Sequence, residues 1–206
     1  MNEALQEYVN KNSLSYIDNI LQSSEEMKVI YKYINYSNNI SGQIAEIGVY
    51  TGYSAKLIAN FKNKTKKLFL CDTFSGLSDV CESDNLSVLN NGAFSASIFK
   101  DITDFFANDK TVKVIAGYFP KSSIKEMDEE KYAFVHIDCD TYLSTLNCLK
   151  YFYPKMSING IILLHDYDNN PHTVGVTQAV NEFLLDKKEQ VELHGLGSSQ
   201  CSIIKS

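Results

Sequence analysis

The stretch Tyr132 to Asp168, YAFVHIDCDTYLSTLNCLKYFYPKMSINGIILLHDYD, decides the fold. It holds two short apolar runs, Ala133 to Ile137 and Gly160 to Leu164, and each ends in polar residues able to bind a metal or a proton: Asp138 and Asp140 after the first, His165 and Asp166 after the second. Between them Leu143, Leu146, Leu149 and Tyr153 recur at helical spacing over Leu143 to Phe152, and Pro154 followed by Gly160 ends that helix and restarts the chain. A strand, helix, strand unit of this kind points both strands the same way, so their polar ends meet at the rim where open α/β sheets bind ligands. A site built from Asp138, His165 and Asp166 is expected there.

Upstream, Gln43 to Val49 reads as a first strand running into Gly48, Tyr50, Thr51, Gly52, Tyr53 and Ser54, and then a helix over Ala55 to Phe61. Glycines at a strand-to-helix turn let a ligand approach the backbone closely, beside free N–H groups. A dinucleotide fingerprint would need glycine where Tyr50 stands, which weakens a nicotinamide reading. Lys67 to Cys71 is a second strand ending in Asp72, where α/β nucleotide binders accept ribose hydroxyls; a helix cap is the alternative role. Val112 to Ile115 is a third strand. It is followed by Gly117 and by Tyr118 and Phe119, which suit either a flat ring or core packing.

The remaining segments frame this sheet. Residues 2 to 21, with Leu5, Tyr8, Ile17 and Leu21, and 24 to 36, with Met27, Ile30, Tyr31 and Ile34, read as amphipathic helices. Ser23, Glu25 and Glu26 supply a start for the second. This amino-terminal cover over residues 1 to 40 packs on the sheet or shares in a lid. Ser75 to Ser97 is polar, unpatterned and long enough to mark a functional loop. Phe99 to Ala107 and Val176 to Leu185 are further helices. Val191 to Leu193 and Cys201 to Ile204 form a closing hairpin around Gly195, Gly197, Ser198 and Ser199, completing seven strands in an otherwise parallel sheet.

Composition narrows the class. With 206 residues, 44% hydrophobic and 21% charged, one globular α/β domain spanning 1 to 206 is expected. All 19 basic residues are lysine and the net charge is −6, which disfavours nucleic acid as a partner. The five cysteines form no CxxC pair and suit reduced thiols. The amino terminus lacks a signal-peptide pattern and no apolar run reaches membrane-spanning length, so a soluble, cytoplasmic protein without a membrane partner is expected.

The stretches AEIGVYTGYSA, LCDTFSGL, AGYFPKS, FVHIDCDTYLST, FYPKMSINGIILLHDY and GVTQAVNEF, in order from about residue 44 to residue 183, resemble the macrocin O-methyltransferase family of class I S-adenosylmethionine-dependent enzymes. The resemblance implies a Rossmann-like α/β sheet of seven strands in order 3-2-1-4-5-7-6, with strand 7 antiparallel. It implies that Glu46, Gly48 and Ser54 surround the methionine part of S-adenosylmethionine and that Asp72 binds its ribose. Tyr50, Gly52, Thr73, Gly117 and Asp138 complete the candidate cofactor set.

A divalent metal at Asp138 and Asp166 is also implied, with His165 as a further ligand or as a residue that orients Asp166. Family members commonly carry Asp-Asp-Tyr where this chain has His165-Asp166-Tyr167. An all-oxygen set favours Mg²⁺, whereas an imidazole ligand tilts towards Mn²⁺ or Fe²⁺. Asp138 and His165 are the candidate catalytic residues, and Asp138, His165 or His172 the proton acceptor. His136, two residues before Asp138 on the same face, reads as a sheet histidine with a partner.

The expected acceptor is a small-molecule hydroxyl, foremost on a sugar: nucleotide-linked, a polysaccharide precursor or a natural-product glycoside. A catechol-like phenol, an iron-dependent hydroxylase on the same fold, or a cofactor binder without chemistry are the alternatives. The resemblance also implies self-association.

Overall fold

A computed structural model describes residues 3–12, 22–95, 98–168, 171–195 and 198–206. Ile17, Leu21, Gly197 and the last two residues of the 75–97 loop lie outside them. The elements in chain order are α1 (Glu3–Asn12), α2 (Ser24–Ser37), β1 (Gln43–Ile47), α3 (Tyr53–Phe61), β2 (Leu68–Asp72), α4 (Phe99–Phe106), β3 (Val112–Ala116), α5 (Ile124–Met127), β4 (Tyr132–Ile137), α6 (Tyr142–Phe152), β5 (Met156–Leu164), α7 (Val174–Leu184), β6 (Glu192–Leu193) and β7 (Cys201–Ile204).

The strands form one sheet in the order β3-β2-β1-β4-β5-β7-β6. β7 runs antiparallel to β5 and to β6, while the pairs from β3 through β5 are parallel. Parallel strands covered on both faces are apolar throughout, and every residue of β4 is buried. Alternation then sorts its side chains. Phe134 joins Met27, Ile30, Ile34, Leu57, Ile58 and Ile102 beneath α2, α3 and α4. Val135 and Ile137 join Cys148, Leu149, Phe152 and Val180 beneath α6 and α7. The amino-terminal helix α2 thus covers the sheet through Met27, Ile30 and Ile34.

Several boundaries shift from expectation, most by a residue or two, and two of the differences have identifiable reasons. β1 ends at Ile47 because Gly48 turns the chain at φ +88°. β5 begins at Met156 rather than Gly160, because the chain bulges within the strand: Tyr132 pairs with Met156 and Phe134 with Ile161. Gly160 sits in that bulge, where a Cβ would lie 2.8 Å from the Ser157 carbonyl oxygen. The short helix α5 carries no sequence signal of its own. Among the described residues no helix is long and apolar enough to cross a membrane.

Candidate active site

The carboxyl ends of β1, β4 and β5 meet at one level because the ladder continues past them. Asp138 N–H donates to the Ile47 carbonyl at 2.8 Å and His165 N–H to the Ile137 carbonyl at 2.9 Å. At Gly48 an added Cβ would stand 1.7 Å from the Asp138 carbonyl oxygen, so only glycine allows β1 and β4 to approach this closely. Past the strand ends, Tyr50, Asp140, Asp166 and Asp168 all have positive φ, a clustering of costly backbone conformations found at binding sites.

A cavity of about 810 Å³ opens over these turns. Gly48, Tyr50, Ser54, Asp72, Thr73, Gly117, Asp138, His165 and Asp166 line it. Two expected cofactor residues do not. Glu46 is fully buried below the floor, where its Oε1 is 2.9 Å from His136 Nδ1. Gly52 precedes α3 at φ +78°, and its missing side chain makes room for Ile102 of α4. Asp72 shapes the first turn: one oxygen accepts the N–H groups of Val49 and Tyr50 at 2.7 and 2.8 Å, and the other accepts Phe74 N–H at 2.7 Å. A carboxylate offers about four lone-pair sites, so one acceptor position remains. Phe119 stacks on Phe152 at 5.1 Å, and the Tyr118 hydroxyl donates to Asp79 at 2.9 Å.

His165 lies among three carboxylates. Its Nδ1 is 3.3 Å from Asp138 and 3.1 Å from Asp166, and its Nε2 is 3.2 Å from Glu26. None of these contacts is in line for a hydrogen bond, so they act through charge. Donor atoms of Asp138, His165 and Asp166 all lie within 4.8 Å of one another, a spacing one cation can bridge. Burial and the nearby charge of Asp166 push the Asp138 carboxyl up, His165 pulling the other way. Asp140 is pushed well up by burial and by Asp166 and Asp138. Burial disfavours the imidazolium, but Asp138, Asp166 and Glu26 outweigh it and raise His165 well above its usual range. Glu26 goes the other way: despite its burial, His165 and the N–H groups of Ser23 and Ser199 hold it below the carboxylate range.

Gln22 and Asp79 are site residues that sequence patterning did not single out; Glu26 was read only as a helix start, and Asp140 as a polar residue at the end of the fourth strand. Gln22 donates its amide to Asp138 Oδ2 at 2.9 Å. Glu26 closes a capping box with Ser23 at the start of α2. Asp79, in the long loop after β2, accepts from Thr141 and Ser144 of the α6 start at 2.9 and 2.6 Å. His172 stands exposed on the cavity rim. Seven carboxylates line the cavity (Glu26, Asp72, Asp79, Asp138, Asp140, Asp166 and Asp168), and no lysine is among the described lining residues. The chain has no arginine, and positions 1–2, 13–21, 96–97, 169–170 and 196–197 hold no basic residue.

This sheet, with the cavity over the turns at the ends of β1, β2 and β4, has the Rossmann-like fold of class I methyltransferases. CalS11, a calicheamicin methyltransferase, shares it with a TM-score of 0.72 at 19% identity, over 98% of this chain and 91% of that one. The chain belongs to the macrocin-O-methyltransferase (TylF) family, whose pattern matches residues 23–196. It is 26% identical over 143 residues to the demethyldecarbamoylnovobiocin O-methyltransferase of Streptomyces niveus, covering 63% of this chain and 54% of that protein. To the mycinamicin III 3''-O-methyltransferase of Micromonospora griseorubida it is 21% identical over 145 residues, 63% of this chain and 57% of the relative. The chain therefore spans about half the length of the curated relatives it matches.

Proposed function

We propose that this protein transfers a methyl group from S-adenosylmethionine to a hydroxyl of a sugar-type small molecule, with a divalent cation held by Asp138, His165 and Asp166. The observation that carries this reading is the meeting of a three-donor cluster and a glycine turn in one cavity. Both ring nitrogens of His165 are buried without an in-line hydrogen-bond partner, and the cluster concentrates negative charge, which fits a cation. S-adenosylmethionine, when bound, supplies a methyl on a sulfonium that departs as a neutral thioether, and a divalent cation, when bound, lowers the pKa of a hydroxyl beside it.

The chain's own residues supply position and a base. The β1 turn, held by Asp72, lets the cofactor approach the backbone closely at Gly48, and the spare acceptor of Asp72 suits a ribose hydroxyl. Gln22 fixes one oxygen of Asp138 while the other faces His165. Asp138 takes the acceptor hydroxyl's proton as the oxygen attacks the methyl carbon and the thioether leaves. A positioned base typically adds about 10² to 10⁴ in rate, whereas alignment of the reacting atoms contributes about 7 to 11 kcal/mol, so alignment is the larger effect.

The lining also bears on the acceptor. A nucleotide-linked sugar would bring its diphosphate into a cavity whose described lining has seven carboxylates and no lysine, so a neutral or amine-bearing glycoside fits better. The test is formation of S-adenosylhomocysteine with a panel of neutral, amine-bearing and nucleotide-linked sugars, with a catechol as comparison. Asp138→Asn is expected to lose at least a hundredfold in turnover. O₂-dependent hydroxylation without S-adenosylhomocysteine, or full activity in that variant, would overturn the reading.

A further inference from the structure

Resting on the reading of a cation at Asp138, His165 and Asp166, we propose that Glu26 is a positioning residue for His165: it fixes the imidazole so that Nδ1 serves as a cation ligand, and the site prefers Mn²⁺ or Fe²⁺ to Mg²⁺. The ring's two nitrogens face different carboxylates. Nδ1 is on the side of Asp138 and Asp166, at 3.3 and 3.1 Å, and Nε2 is 3.2 Å from Glu26 Oε1. A neutral imidazole can give a lone pair at Nδ1 only if its proton sits on Nε2. Glu26 is the carboxylate on that side, and with a cation on the Nδ1 side its charge, though out of line for a hydrogen bond, favours the proton on Nε2, the carboxylate, histidine, cation order of a metal-binding ring.

Glu26 is itself held in place. Its Oε2 accepts Ser23 N–H at 2.7 Å, and its Oε1 accepts Ser199 N–H at 3.1 Å and Ser199 Oγ–H at 2.9 Å. At 6% exposure it has little freedom to turn away. The result joins the start of α2 and the segment before β7 to the cation cluster through one ring. One imidazole nitrogen among carboxylate oxygens moves preference from Mg²⁺ towards transition cations.

The test uses full-length, chelator-treated protein and Mn²⁺ as the probe, with Mn²⁺ and Mg²⁺ affinities from calorimetry and ligand identity from pulsed electron paramagnetic resonance. The wild type is expected to show ¹⁴N coupling from one imidazole and to bind Mn²⁺ at least tenfold tighter than Mg²⁺. Glu26→Gln is expected to weaken Mn²⁺ about 10- to 100-fold. Ser23→Ala, which breaks the same helix cap without touching the ring, should lower the melting temperature and leave Mn²⁺ affinity within about twofold. His165→Asp should abolish the ¹⁴N coupling, and in that background Glu26→Gln should change Mn²⁺ affinity by less than about twofold.

Bound Mn²⁺ without ¹⁴N coupling, or an equal loss from Glu26→Gln in both backgrounds, would overturn the role of Glu26 and leave the cation reading standing. Folded protein that binds neither cation would overturn both. Production of S-adenosylhomocysteine, measured separately, reports on methyl transfer alone.

Discussion

Gly48 sets how closely the first and fourth strands approach at the site. Replacing it with alanine puts a Cβ 1.7 Å from a backbone oxygen at positive φ, so strand ends rather than a flexible side chain must move. Gly48→Ala is expected to cost about 2 to 3 kcal/mol in urea unfolding and to weaken cation binding, because Asp138 rides on the displaced backbone. Unchanged stability would show that the two strands are not held at this separation. The need for a glycine here was legible, since a strand that runs into glycine and then a helix says so locally. The second duty of Glu26 was not. A glutamate three residues after Ser23 is fully accounted for as a capping box, and its contacts with His165 and Ser199 arise only when distant segments pack. The pairing of Glu46 with His136 was not legible either, because alternation along β1 does not say whether a polar side chain reaches the rim or, as here, meets a partner on the neighbouring strand.

Among elements, α6 shows how the long loop after β2 is tied down. Its cap residue Thr141 makes no side-chain cap; Asp84, 58 residues earlier, accepts Tyr142 N–H at 2.8 Å instead. Gly175 of α7 leaves space for this carboxylate, since a Cβ there would meet Asp84 Oδ1 at 2.0 Å. Asp84→Ala should cost about 1 kcal/mol, as loss of a helix cap does, and speed protease cleavage within residues 77–92; unaltered cleavage would mean that Asp79 alone secures the loop. The sequence pattern identified the loop as long and unpatterned, but its anchors pair across tens of residues and leave no local periodicity. The parallel strands were legible because burial on both faces makes them uniformly apolar. The early start of β5 was not, because Asn159 and Gly160 within it read as a break.

Across the whole molecule, charge and the carboxyl-terminal residues lead to two further expectations. The cavity, whose described lining carries seven carboxylates and no lysine, should bind an amine-bearing acceptor less tightly as salt rises, and KM for such an acceptor should increase several-fold between 50 and 300 mM KCl while that for a neutral sugar stays flat. Parallel salt curves would place the acceptor outside the field of these carboxylates. Glu189, with Tyr153 and Ser206 donating to it, is held below the carboxylate range although burial works the other way. A lowered carboxylate contributes stability above its unfolded pKa of about 4.3 and loses it as pH falls through the lower folded value. Glu189→Gln should therefore flatten the fall in urea midpoint between about pH 5 and pH 2 relative to wild type; an identical acid limb would assign that fall to other groups.

The insertion of β7 between β5 and β6 also carries a schedule. Glu26 leaves the ribosome 173 residues before the Ser199 groups that hold it, which come just ahead of β7, at a synthesis rate of about 5 to 20 residues per second. The β1 to β5 half of the sheet can assemble while translation continues, but the clasp on His165 closes only once β7 has entered. A nascent chain therefore gains the turns after β1 and β2 before the imidazole of His165 is clasped.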